Sequence, residues 1–209
     1  MAAQTDVAEE SPGAMLARLL VGQRTFLENV YSLVRFLEAE VTKRGWDLIK
    51  NGGYGVTRNG MGRRLTSFVD WAVSQVGIAF VRPGQAQLVQ GVTNTQIPPE
   101  GLEVLVFQVR CLDKAPAEPV MWHAKLLVEP KGSTKPKKWE DYQSTVFNRL
   151  EPVPRPDEAT SGDIKPGEVP LSGTAIIFTG RYGEVPIAGL LTQEDVISQL
   201  VEPALGEYA

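Results

Sequence analysis

Between Ala14 and about Arg44 the apolar residues return with the period of an α-helix. Leu20, Leu27, Val34, Val41 and Leu48 stand seven apart, and Leu16, Val30 and Leu37 fill most of the positions three or four away. Residues at that spacing share one helix face, so the stretch predicts a single long amphipathic helix. Leu19, Phe26 and Leu33 widen the stripe beyond a coiled-coil seam, while Gln23 and Arg44 interrupt it. A stripe of this width belongs against a body or in a bundle. Few heptads, with Gly22 among them, make a two-stranded coiled coil the weaker expectation. Packing on the chain's own body is therefore expected ahead of a dimer seam, and both hold if a dimer shares the helix. Ser11-Pro12 marks the start, because proline's missing N–H costs nothing in the first turn. Before it, residues 1–12 read as a disordered acidic tail with Asp6, Glu9 and Glu10.

The expected organisation is that tail, an N-terminal helical segment at 13–50, and an α+β body at 51–209. Residues 51–62 hold five glycines without apolar periodicity and read as a loop. A second helix is expected from Arg63 to Gln75, ended by Gly77, followed by a short buried strand from Ile78 to Val81. Gln87–Val92 reads as a strand, and Ile97–Gly101 as a turn. The clearest β signal runs from Leu102 to Leu112, apolar on both faces in its first half and so suited to a central strand. Val120–Val128 is its expected antiparallel partner. A basic loop at 129–138 and a helix from Trp139 to Leu150 follow. Residues 151–173, rich in proline and glycine, read as a linker or long surface loop. The remainder gives a strand at Thr174–Thr179, a turn at Gly180–Gly183, a short strand at Val185–Ala188 and a final helix. Thr192 and Asp195 form a loose capping box for that helix, and Pro203 ends it. The fold class is α+β: a long N-terminal amphipathic helix packed on or beside a small, mainly antiparallel sheet with further helices.

With 43% apolar and 22% charged residues among 209, the chain can bury a sizeable core. It has one histidine, His123, and one cysteine, Cys111. Neither a Ser–His–Asp nor a Cys–His set can be proposed, and no cluster offers zinc ligands. No catalytic residue, metal site or cofactor is expected. His123 and Cys111 read as buried structural residues, and Trp46, Trp71 and Trp122 as core anchors. No signal peptide or membrane span is recognisable, so a cytoplasmic location is expected. A net charge of −4 weighs against binding nucleic acid over the whole surface but leaves a local patch open.

Three functions are consistent with this. The first is a non-catalytic binding or assembly protein, taking a protein partner or a second copy through Leu20, Leu27, Val34 and Leu37. The second binds phosphate-bearing ligands, nucleic acid included. There Arg58, Arg63 and Arg64, beside Lys50, would pair with freed backbone N–H groups of loop 51–64, and Tyr54 would stack on a base. That run matches neither a Walker A loop nor a dinucleotide fingerprint, and a helix–helix connection explains it more simply. Lys135, Lys137 and Lys138 would add a basic patch, although a solvated hairpin loop is the plainer account. The third, and weakest, is a metal-dependent nuclease using Asp113, Glu129 and Lys131.

Overall fold

The computed structural model describes residues 11–49, 54–58, 73–85, 95–110, 118–132, 134–135, 137–139, 161–171 and 174–206. The long helix, α1, spans Pro12–Lys43, 32 residues. Ser11 caps it, its hydroxyl accepting from the Ala14 N–H at 3.3 Å. At the other end Gly45 turns into the left-handed region, φ 91°. Its N–H donates to the Thr42 carbonyl at 2.9 Å, and the Trp46 N–H reaches back to Val41 at 3.3 Å. This paired closure satisfies the last helical carbonyls and needs a residue without Cβ at the turning point.

Among the described residues nine strands follow: β1 (Asp47–Leu48), β2 (Tyr54–Arg58), β3 (Val73–Val81), β4 (Gln96–Ile97), β5 (Leu102–Arg110), β6 (Val120–Lys131), β7 (Lys137–Lys138), β8 (Ser161–Leu171) and β9 (Thr174–Pro186). Seven form one sheet, every pairing antiparallel, in the order β1–β3–β5–β6–β9–β8, with β2 beside β1 on the same edge of β3. β4 and β7 make a separate two-stranded ribbon. The chain ends in a helical run: a 3-10 turn at Ile187–Gly189, α2 (Gln193–Val196), a π-helical stretch Ile197–Val201 and α3 (Glu202–Leu205). No helix among the described residues is long and apolar enough to cross a membrane.

Strand alternation makes the sheet two-faced. On one face Phe80, Leu105, Phe107, Val109 and Met121 pack under Val34, Leu37 and Val41 of α1 and Leu200 and Val201 of the terminal helix. On the other, Val104, Val106, Trp122, Leu126, Ile176 and Tyr182 join Ile97 and Trp139. Trp122 stacks on Tyr182 at 5.8 Å, and the Arg110 guanidinium lies 4.3 Å above its ring. β5 is buried on both faces, as its doubly apolar sequence requires. The expected α+β class, the N-terminal helix and the antiparallel pairing of β5 with β6 are all present.

Several local expectations are corrected. Tyr54–Arg58 is a strand rather than loop, held by its pairing with β3. Val73, Ser74 and Gln75 begin β3 instead of closing a helix, and Gly77 lies within that strand. Residues 161–171 of the expected long loop form β8. Its Pro166 and Pro170 are tolerated because β8 is the terminal strand in the pairing order, and the register shifts between Ile164 and Gly167. The turn expected at Gly180–Gly183 does not exist; β9 runs straight through it. Those glycines serve close approach. A Cβ on Gly180 would overlap the Lys125 carbonyl oxygen, and one on Gly183 would stand 2.5 Å from His123 Nε2.

Pro203 does not stop the terminal helix, which continues to Leu205. The ladder opens to π geometry one turn ahead of the proline, where a missing donor and the ring's bulk would strain a regular α-turn. The capping box is formed: Asp195 N–H donates to Thr192 Oγ1 at 3.1 Å, and Thr192 N–H to Asp195 Oδ2 at 2.8 Å. The Thr192 hydroxyl and N–H together hold the Asp195 carboxyl below its ordinary value.

Gly183→Ala is expected to destabilise the fold by about 1–3 kcal/mol through overpacking against His123. In the double variant His123→Ala/Gly183→Ala the clash partner is gone, so the two losses are less than additive in urea unfolding. Strict additivity would show that the His123–Gly183 contact is not what requires the glycine.

Candidate interaction surface

α1 has two halves with different surroundings. From Val30 to Val41 its stripe lies on the sheet, with Val30, Val34, Leu37 and Val41 buried. From Pro12 to Thr25 the helix runs on beyond that contact, roughly 21 Å at about 1.5 Å per residue, Phe26 being the first of its residues packed against the core. The stripe continues along this arm. Leu20 stands seven residues before Leu27, and Leu19 seven before Phe26. Met15, Leu19 and Leu20 are nonetheless 47%, 50% and 51% exposed. Val21, off the stripe, is exposed as well.

The polar side of α1 is laced with ion pairs: Arg24–Glu28 at 2.9 Å, Arg35–Glu38 at 2.6 Å, and Arg44 with Glu40. The Arg44 guanidinium holds the Glu40 carboxyl below its ordinary value. Pairs at this spacing support an exposed helix by tenths of a kcal/mol each. Where the arm meets the body lies an apolar cleft of about 370 Å³, lined by Leu27, Val30, Tyr31, Val34, Arg35, Val76 and Gly77. Tyr31 beside it is 64% exposed. Ridge and cleft therefore follow one another along one helix. Contiguous exposed apolar surface of this kind marks contact sites more often than it occurs by chance.

The four stripe residues read from the sequence thus have different placements. Leu37 and Val34 are buried in the chain's own core, Leu27 is half-buried in the cleft wall, and Leu20 is exposed on the arm. Sequence periodicity alone does not separate them: Leu20, Leu27 and Val34 stand seven apart, and Leu37 three further on continues the same broad stripe.

The anion-site residues are not assembled among the described residues. Tyr54 and Arg58 are the two ends of β2, and Arg63 and Arg64 lie outside the described residues, as do Lys50, Cys111, Asp113 and Trp71. Glu129 and Lys131 are in β6, flanking the buried Pro130. Among the described residues no group of three His, Cys, Asp or Glu is placed to hold a metal. Lys137 and Lys138 form β7, with Lys135 exposed just before it. Trp46 and Trp122 are core residues, as expected.

A charged row that the sequence did not suggest crosses the sheet on the helix-bearing face. Glu103 pairs with Arg82 at 2.7 Å and with Lys125 at 3.1 Å, and Arg181 lies 3.5 Å from Asp163. These residues are far apart in sequence, so only the strand register brings them together. A cleft of about 350 Å³ lies alongside. The row consists of two ion-paired groups, Arg82–Glu103–Lys125 and Arg181–Asp163, with the like-charged Lys125 and Arg181 side by side across the β6–β9 pairing.

His123 is buried on the helix-bearing face, its ring 6.4 Å from Phe107. Burial pushes its pKa down to about 4. At neutral pH it is an uncharged core residue. Comparison with protein families, with curated proteins and with solved structures finds no match for the chain.

Proposed function

We propose that this is a non-catalytic cytosolic protein that binds or assembles with other macromolecules, using the arm of α1 as its contact element. One observation carries the reading: the apolar stripe that packs on the sheet at Val34 and Leu37 runs on past the body, leaving Met15, Leu19 and Leu20 in solvent. An exposed helix whose stripe has no support of its own loses free energy relative to one that buries it, at roughly 25 cal/mol per Å² of apolar area. A partner that covers the arm recovers that energy, in the manner of an amphipathic helix laid into a groove. The sheet then acts as the rigid mount, and the acidic overall balance keeps the unbound chain apart from others of its kind until a specific surface is met.

The test uses the full chain carrying Leu19→Glu and Leu20→Glu together. Both residues are exposed, so the unfolding midpoint is expected to stay within a degree or two of the parent protein. Immobilised wild-type chain should retain a stoichiometric partner, or a second copy, that the double variant loses. Identical sets of bound proteins for the two chains would sink the reading.

A further inference from the structure

We infer that the cleft beside Glu103, Lys125, Thr179 and Arg181 binds a small phosphate ester. This does not rest on the arm of α1, since the lining of the cleft among the described residues includes none of that helix. Its first support is a surplus of cations. Glu103 is held at both oxygens by Arg82, whose Nε lies 2.7 Å from Oε2 and whose Nη2 donates to Oε1 at 3.1 Å. Lys125 Nζ shares Oε1 at 3.1 Å, so it is the second cation on a carboxylate whose single charge Arg82 already matches. Arg181 meets Asp163 at 3.5 Å, and that aspartate lies largely in water. Among the described residues the row thus sets three cations, Arg82, Lys125 and Arg181, against two acids.

The second support is register. Lys125 and Arg181 are direct partners across the β6–β9 pairing and share one face. Like charges in opposed positions, with Cβ atoms roughly 4.5–5.5 Å apart, are destabilising. An oxyanion between the two side-chain heads turns that repulsion into two attractions. A phosphate monoester suits the pair better than a carboxylate does, because its charge is about −1.5 to −2 at neutral pH. Its oxygens also accept the forked guanidinium and the point-like ammonium together. The third support is the cleft itself, about 350 Å³, a volume that fits a small ligand. Thr179, two residues before Arg181 and so on the same face, adds a hydroxyl to the lining. Its register partner Leu127, also in the lining, is 42% exposed and offers an apolar wall. Two cations, a hydroxyl and an apolar wall match a phosphate that carries a small apolar group.

The experiment titrates the full chain with phenyl phosphate and, separately, with inorganic phosphate, at an ionic strength held constant with chloride, and follows backbone amide shifts by NMR. Saturable shifts are expected at Lys125–Leu127 and Thr179–Arg181. Phenyl phosphate should bind at least about threefold more tightly than inorganic phosphate, because Leu127 covers part of the ring. Lys125→Gln/Arg181→Gln should weaken binding at least about tenfold, through loss of both charge-assisted contacts. Lys137→Gln/Lys138→Gln makes the same change of net charge on β7 and should bind as the wild type does. Absence of a saturable shift in the wild type overturns the inference, as does an equal loss in the two double variants. Equal affinities for the two probes overturn the ester and leave free phosphate as the ligand. Urea unfolding separates binding from a structural role: about 10 mM phenyl phosphate should raise the midpoint of the wild type but not that of Lys125→Gln/Arg181→Gln. A double variant that is less stable yet gains as much from phenyl phosphate would mean that the two cations serve only the end of the terminal helix at Gly206, and the inference falls.

Discussion

Leu37→Ala is expected to lower the unfolding free energy by about 3 kcal/mol, within the 2–5 kcal/mol usual for truncating a buried leucine. Leu20→Ala, on the same stripe, should change it by less than about 0.5 kcal/mol when measured on dilute monomer. The two residues are chemically identical and belong to one broad apolar stripe, yet Leu37 is 0% exposed and Leu20 51%. Leu37 gives up contacts with the sheet and with the terminal helix and leaves a cavity that close-packed neighbours refill poorly. Leu20 gives up contact with water. Urea unfolding of both variants at low concentration decides the point, and equal costs would mean that the arm is packed on its own body after all.

The second large effect is on pH dependence. Burial pushes the His123 pKa down from 6.5 to about 4. The folded protein therefore binds fewer protons than the unfolded chain between those values. This group's contribution is fully present above about pH 6.5, is lost as pH falls from there toward 4, and changes no further below that. The full difference is about 3 kcal/mol, on the order of 1.4 kcal/mol per pKa unit. His123→Gln, which cannot titrate, should lack this part of the slope. Carboxylates also titrate toward the bottom of that range, but they are common to both chains and cancel in the difference. Unfolding free energies at about pH 7, 5.5 and 4.5 give the comparison, and parallel curves for the two chains would show that His123 is not held neutral by the fold.

What could be read from the sequence and what could not divide along a physical line. α1, the terminal capping box and the β5–β6 pair follow from local periodicity, cap chemistry and unbroken apolar runs, which depend on neighbours in sequence. The misread segments share one cause. Glycine and proline read locally as chain reversals, whereas Gly183 makes room for the His123 ring and Pro166 and Pro170 lie in β8, the terminal strand of the sheet among the described residues. In each case the deciding contact is long-range. The charged row from Arg82 to Asp163 was invisible for the same reason, its members being joined by register alone. The arm presents the converse case: its residues were identified, but where support for the stripe stops depends on how far the sheet extends. That boundary falls between Leu20 and Phe26 and leaves no mark in the pattern of apolar residues.

The continuity of α1 has a mechanical consequence. No proline interrupts the helix after its first turn, so arm and mount form one stiff rod with its pivot at Phe26. Leu20 lies roughly 9 Å from that pivot at about 1.5 Å per residue. A sideways pull on the arm acts through that lever on the Phe26 and Val30 contacts first, and reaches Leu37 and Val41 only after they yield. Tension on an occupied arm would thus peel the rod from its sheet one turn at a time, starting at the end nearest the load.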